Sequence, residues 1–257
     1  KELKDIIEKL VDEQSMENII NLNSIDTSKI TDMSDLFENY EGLLNIDMSN
    51  WDVSNVKRMD YMFRGCVNLE KIIGIEDWDV SSVENMEGMF DGCKLFNQPL
   101  NNWKVSKVEN MASMFIECKL FNQPLNDWDV SNVEDMSWLS SECEKFNQDI
   151  SKWNVSNVTN MQGIFEYSPF NKPINDWDVS KVFVLSEAFR RSDFNQPLDK
   201  WNVSNVKYMS SMFLHSLFNQ DISNWDISNV LKMDYMFSGS SFNQDISDWD
   251  VSNVATI

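Results

Sequence analysis

The side chains best equipped for chemistry in this 257-residue chain are carboxylates that flank tryptophans at regular intervals. Asp follows a Trp at 52, 79, 129, 178, 226 and 250, and follows Ile25 at 26. It precedes one at 77, 127, 176 and 248. Rows of carboxylate oxygens are hard ligands of the kind calcium takes. The sequence argues for another use, because Lys104, Lys152 and Lys200 interrupt the rows, the last two beside Asn154 and Asn202. Like charges about 5 Å apart cost roughly 1 kcal/mol in water, and intervening Lys residues relieve that. A solvated, self-compensated face is expected, with no metal and no cofactor. The stretches from Asp52 to Asp79 and from Asp226 to Asp250 lack such a Lys.

Other reactive groups are sparse. The single histidine, His215, excludes sites that need two, such as HExxH zinc centres. Cys66, Cys93, Cys118 and Cys143 each lie ten residues after a recurring Val, with no CxxC spacing. Stacked at one strand spacing, they would sit too far apart for disulfides. They read as small buried side chains at a tight corner. With seven Gly there is no glycine-rich phosphate loop. No nucleophile and base pair stands out, so an enzyme is not expected. Lys and Arg number 21 against 42 Asp and Glu, a net charge of −21. That balance argues against nucleic acid and anionic lipid. No apolar run approaches the roughly 20 residues of a membrane span.

The carboxylates and cysteines are positioned by a repeat. Trp recurs at 51, 78, 103, 128, 153, 177, 201, 225 and 249, at intervals of 24 to 27 residues. Ile25 holds the same place in a degenerate first copy, making ten repeats, the last incomplete. We number them 1 to 10 and count positions from the Trp. Ser stands at +3 in all ten, Met at +8 in eight, and Phe at +12 in eight. Phe also stands seven residues before the Trp in seven repeats, each time followed by Asn. A fixed period in the twenties marks stacked coils, none able to bury its apolar face alone.

Trp and the Val at +2 share one side of a short strand. Ser at +3 reads as a helix N-cap, with capping boxes at Ser81/Glu84, Ser106/Glu109 and Ser131/Glu134. Apolar residues at +5, +8, +11 and +12 follow at helical spacing. The expected fold is therefore an α/β, leucine-rich-repeat-like solenoid of about ten 24–27-residue coils, each a short parallel strand plus a short helix. A three-sided, purely β solenoid is the alternative. Residues 1–24 form an N-terminal capping helix, with Leu3, Ile6, Ile7, Leu10 and Val11 on one face, and residues 25–257 form the repeat domain. Because the chain stops inside a coil, a fragment of a longer protein is expected, or an open end that supports self-association. The Asn row from Asn97 to Asn243 reads as an inward amide ladder. The Met rows read as core filling.

The pattern Asn-Gln-Pro-Leu-x-x-Trp-Asp-Val-Ser-x-Val-x-x-Met-x-x-Met-Phe resembles the BspA-like leucine-rich-repeat surface proteins, and more narrowly a mycoplasma-type repeat domain of unknown function. The resemblance spans about residues 25–257. It implies a secreted or surface-anchored bacterial protein that engages other proteins, in adhesion or host interaction. It brings no catalytic residues.

Departures from the repeat are the places to look for function. Positions +6 and +7 are polar in most coils, as in Glu84/Asn85, Glu109/Asn110 and Thr159/Asn160. They become Phe183/Val184, Lys207/Tyr208 and Leu231/Lys232 in repeats 7 to 9. With Tyr235 one turn on, Phe183, Val184, Tyr208, Leu231 and Tyr235 form a candidate protein-contact patch. The other reading turns Phe183 inward, because its coil carries Ala188 where others carry Met. Trp138 is expected to replace the missing ring at Ser140. Two roles lead, a protein-binding surface or a structural stalk whose repeats only set length, with a metal-dependent enzyme or calcium-gated assembly module behind both.

Overall fold

A computed structural model describes residues 2–256. Its helix α1 spans Glu2–Glu13 and is shorter than the segment expected to be helical. Ile7 is fully buried, and Leu3, Leu10 and Val11 pack on the core. Ile6 is not part of that face: it is 43% exposed. The strands β1 (Ile20–Asn21), β2 (Asn45–Asp47) and β3 (Lys71–Ile73) form one parallel sheet in the order β1-β2-β3. Ile20 pairs with Ile46, and Ile46 with Ile72. A 3₁₀ turn at Ile75–Asp77 follows β3.

Elsewhere the repeats are stacked turns. The strand expected at Trp and Val is absent in every repeat, although the Trp and the Val at +2, Ile227 in repeat 9, are buried from repeat 2 to repeat 9. Parallel pairing runs instead through +7, from Asp32 to Arg58, Asn85, Asn110, Asp135, Asn160, Val184, Tyr208, Lys232 and Thr256.

The helix expected in each coil is also absent, and the backbone shows why. In repeats 1 to 9 the residues at +10 and +14 adopt φ between 50° and 76°, the left-handed region that a right-handed helix excludes. In repeat 2 the N–H groups of Met59, Tyr61, Phe63 and Gly65 donate to Asn85, Glu87, Met89 and Asp91 of the next repeat at 2.7–3.0 Å. The residues between them close local turns, Met62 to Met59, Arg64 to Tyr61 and Cys66 to Phe63. The first and last of these have φ > 0 at their third residue, as type II turns require. Alternate amides thus serve the neighbouring repeat, and no i to i−4 ladder can form. The apolar spacing is still consistent with the outcome, because the same Met and Phe side chains reach the core from consecutive turns.

The core is a set of ladders parallel to the stack. Trp128, Trp153 and Trp177 lie near-parallel with ring centroids 6.4 Å apart, as do the Phe rings of 96, 121, 146, 170, 194 and 218 at 6.0–6.3 Å. Each indole is anchored by its Nε1–H. Trp103 donates to Ile75 O, Trp128 to Leu100 O and Trp153 to Leu125 O, all at 2.9 Å. The exception is Trp78, at the end of a 27-residue interval, whose buried Nε1 lacks a partner.

Trp138 does not fill the place of the ring missing at Ser140. It is half-buried at a left-handed +10 position and covers Gly163, where a Cβ would collide with its indole. Ser140 satisfies itself by donating to Ile164 O at 2.8 Å.

Candidate interaction surface

The outward Asp row has a local backbone function. Oδ1 at +1 accepts the N–H of Ser at +3, at 3.0 Å for Asp26/Ser28, Asp52/Ser54, Asp178/Ser180 and Asp250/Ser252. Asn154 and Asn202 do the same for Ser156 and Ser204. This is an Asx turn, which explains why Asp or Asn stands there in every repeat but the fourth, where Lys104 replaces it. These bonds hold the carboxyls of Asp26, Asp52, Asp178, Asp226 and Asp250 below the ordinary value, the Ser hydrogen bonds being the largest cause. The Ser at +3 therefore opens a turn and not a helix. Glu84 of the expected capping box instead meets Lys57 of the preceding repeat, 3.4 Å away. Lys200 meets Asp176 at 2.7 Å.

The Asn row after Phe lies at the surface, not inward. Asn122 Oδ1 accepts the Asn147 N–H at 3.1 Å and Gln148 Nε2 at 2.9 Å, and the pattern repeats from Asn171 to Asn243. All four cysteines are buried and free, each Sγ donating to a Phe carbonyl one repeat back at 2.9–3.1 Å. Burial pushes the Cys66 thiol up to about 12, and holds Cys93 and Cys118 well above the usual value. His215 is exposed at a left-handed +14 position, with its imidazole over Gly239.

Four of the five candidate patch residues share the +6 and +7 rows. Phe183 is 42% exposed and Leu231 39%, while Val184 and Tyr208 are half-buried. Ala188 is fully buried beneath, so the smaller side chain is accommodated without Phe183 turning inward. The backbone joins the rows. Phe183 O accepts Lys207 N–H at 3.0 Å and Lys207 O accepts Leu231 N–H at 2.9 Å, while Val184 bridges Tyr208. Lys207 therefore stands between the two exposed apolar side chains, with Lys232 beside Leu231. Both lysines are exposed. They were not among the candidate residues. The signal for them was the row register, which places them inside the patch rather than beside it.

Tyr235 belongs to a different feature. It is 68% exposed at +10, the position where Tyr61 covers Gly88 and Trp138 covers Gly163 of the following repeat. It borders a cavity of about 460 Å³ on the C-terminal face of the stack, lined also by Met233, Met236, Phe237, Trp249 and Val251.

The +7 row carries a second Asx bond. Oδ1 of Asp32, Asn85, Asn110, Asp135 and Asn160 accepts the N–H two residues on, at 2.8–3.0 Å. Val184 has no side-chain oxygen, and the Tyr208 hydroxyl stands at the far end of its ring. Arg58 and Lys232 of the same row also forgo this bond, but at 184 and 208 a half-buried apolar or aromatic side chain takes its place.

Among the described residues no helix is long and apolar enough to cross a membrane. No curated protein and no solved structure matches the chain. The family described as Mycoplasma protein of unknown function, DUF285, matches residues 6–115, 68–169 and 166–257, each about four periods of the repeat whose turns, ladders and surface rows are set out above. With three overlapping matches across nearly its whole length, the chain is a repeat protein of this family.

Proposed function

We propose that the chain is a leucine-rich-repeat-like solenoid of a bacterial surface or secreted protein, with a non-enzymatic role: binding another protein through the +6/+7 face of repeats 7 to 9. The observation that carries this reading is the exchange at Val184 and Tyr208. Five other repeats place Asp or Asn there for an Asx bond, and a net hydrogen bond is worth about 0.5–1.5 kcal/mol. Replacing it with Val or Tyr costs that stability and leaves Phe183 and Leu231 exposed alongside. Arg58 and Lys232 also forgo the bond but carry charge, whereas Val184 and Tyr208 add apolar surface that contributes favourably when covered. Apolar side chains of this size contribute about 1.5–3 kcal/mol each when buried. Tyr is enriched at interfaces, and the flanking Lys207 and Lys232 suit the polar rim of one.

The experiment is the double variant Phe183→Ser with Leu231→Ser. Far-UV circular dichroism and the melting temperature should stay close to the parent's. Adhesion to immobilised extracellular host proteins, and self-association, should fall by at least about tenfold. Unchanged adhesion and self-association with the fold intact would remove the patch from function. A stalk that only sets length is the second reading, favoured by the uniformity of the Trp and Asn ladders. It predicts that no surface variant changes binding.

A further inference from the structure

The +6/+7 face has two halves of opposite character. In repeats 3 to 5 its side chains are Glu84/Asn85, Glu109/Asn110 and Glu134/Asp135. In repeats 7 to 9 they are Phe183/Val184, Lys207/Tyr208 and Leu231/Lys232. Thr159 and Asn160 of repeat 6 lie between and carry no charge. The three Glu residues are exposed, and so are Phe183, Lys207, Leu231 and Lys232. Parallel bridges run unbroken through all seven repeats, so both halves belong to one continuous row. At about 4.8 Å per repeat, Glu84 and Leu231 are roughly 29 Å apart along it.

We propose that this face pairs two copies of the chain antiparallel, about a two-fold axis through repeat 6. The proposal rests on the reading that repeats 7 to 9 form a protein-contact surface, and it names the partner. A two-fold contact must be self-complementary, with each half meeting the other half of its copy. Placing the axis at repeat 6 sets repeat 3 against repeat 9, 4 against 8, and 5 against 7. Glu84 then faces Leu231/Lys232, Glu109 faces Lys207/Tyr208, and Glu134/Asp135 faces Phe183/Val184, the last a contact of carboxylates with apolar side chains that adds nothing to the pairing. The lysines meet carboxylates twice on each side of the axis. The acidic half also carries Lys107 at +4, and Glu84 already meets Lys57 within its own chain at 3.4 Å. Both members of that pair are at least half solvent-exposed, so the pair is weak and exchangeable. A parallel arrangement would set Glu against Glu and Lys against Lys. Each copy carries −21, which opposes association at low salt. At physiological salt the screening length is about 8 Å, so the local contacts decide. A narrow ladder face of this kind belongs to the small, transient class of interface.

Reciprocal charge variants provide the test. Glu84→Lys with Glu109→Lys makes both outer parts of the face basic, leaving Glu134 and Asp135 beside the axis. Lys207→Glu with Lys232→Glu makes it acidic. All these positions are exposed, so the fold should persist, which circular dichroism checks. By sedimentation at about physiological salt, the parent should dimerise, each variant alone should weaken dimerisation at least about tenfold, and an equimolar mixture should restore it. A parent that stays monomeric at its solubility limit overturns the pairing. So does a dimer indifferent to both variants. If Phe183→Ser with Leu231→Ser abolishes binding to host proteins while the charge variants leave the oligomeric state unmoved, the contact patch stands and the pairing falls. If poly-glutamate, and not a second copy, protects repeats 7 to 9 from hydrogen exchange, the pairing also falls and the patch belongs to an acidic partner.

Discussion

Repeats 2 to 5 and repeats 6 to 9 solve the same corner in two ways. In the first group a Cys stands at +15 and the next Trp mostly follows at 25 residues. In the second a Ser stands at that corner and the interval is 24. In the longer repeats the Phe N–H closes a local turn onto the Cys carbonyl, Phe96 to Cys93 at 3.2 Å and Phe121 to Cys118 at 3.1 Å. The thiol is left to bond the repeat below. In the shorter repeats the Phe N–H turns to the Ser hydroxyl, Phe170 to Ser168 at 3.2 Å and Phe194 to Ser192 at 3.1 Å. The freed carbonyl then takes an amide from the next repeat, as Ser168 takes Asp193 and Ser192 takes Leu217. Removing one residue thus exchanges a bond within a repeat for a bond between repeats. The side chain at the corner follows, because a buried amide needs an oxygen and sulfur is a weak acceptor.

The largest expected effect tests what the two groups share. Trp103→Ala and Trp201→Ala each remove one indole from a buried stack. Each should cost about 3–5 kcal/mol, as large core truncations do, and denaturant titration should find the two alike to within about 1 kcal/mol. A clear inequality would mean that corner chemistry alters the core. Next comes Ser192→Cys, which leaves the Phe194 N–H buried without its oxygen. An orphaned buried donor costs about 1–3 kcal/mol. Inserting one residue after position 192 in that variant, as in the longer repeats, should recover most of the loss in a thermal melt. Failure of the insertion would break the link between loop length and side chain. Cys118→Ser is a smaller change, because a hydroxyl can still donate to Phe90 O. Its melting temperature should fall by less than that of Ser192→Cys.

The smallest effect concerns the Asx bonds, present in both groups. Asp52, Asp178 and Asp226 have carboxyls held below 3.8 by their Ser partners. A depressed folded-state value means that their contribution is complete above the unfolded value. It is lost as pH falls through the folded one. Stability should therefore decline only below about pH 4. Asp226→Asn should keep the turn, as Asn202 does natively, and flatten that decline slightly. Asp226→Ala should lower the melting temperature at neutral pH too.

The stack, its ten-fold register and the core identity of Trp, Val, Met and Phe were legible in the sequence, because uniform burial enforces uniform residue type. The local backbone was not. Met86, Met89 and Phe90 show helical spacing, yet consecutive turns deliver the same side chains inward, and side-chain periodicity cannot tell which carbonyl an amide will find. Left-handed residues at +10 and +14 include Tyr61, Glu117 and Arg191, types that give no warning of positive φ. Trp138 was misplaced for a similar reason: composition located a missing ring at Ser140 but not the direction of its neighbour. For the candidate patch, row membership was readable, Lys207 at +6 and Lys232 at +7 included, but not that adjacent rows pair through the backbone there.

The alternating amides that climb from each repeat to the next have a mechanical meaning. Pulled apart along the stack, these bonds are loaded one repeat at a time, because each repeat is held only by its two neighbours. A repeat of 24 or 25 residues, once peeled away, releases roughly 80–90 Å of extended chain. Under tension the chain should therefore lengthen in near-equal steps, dissipating force gradually where a single-core domain would rupture at once.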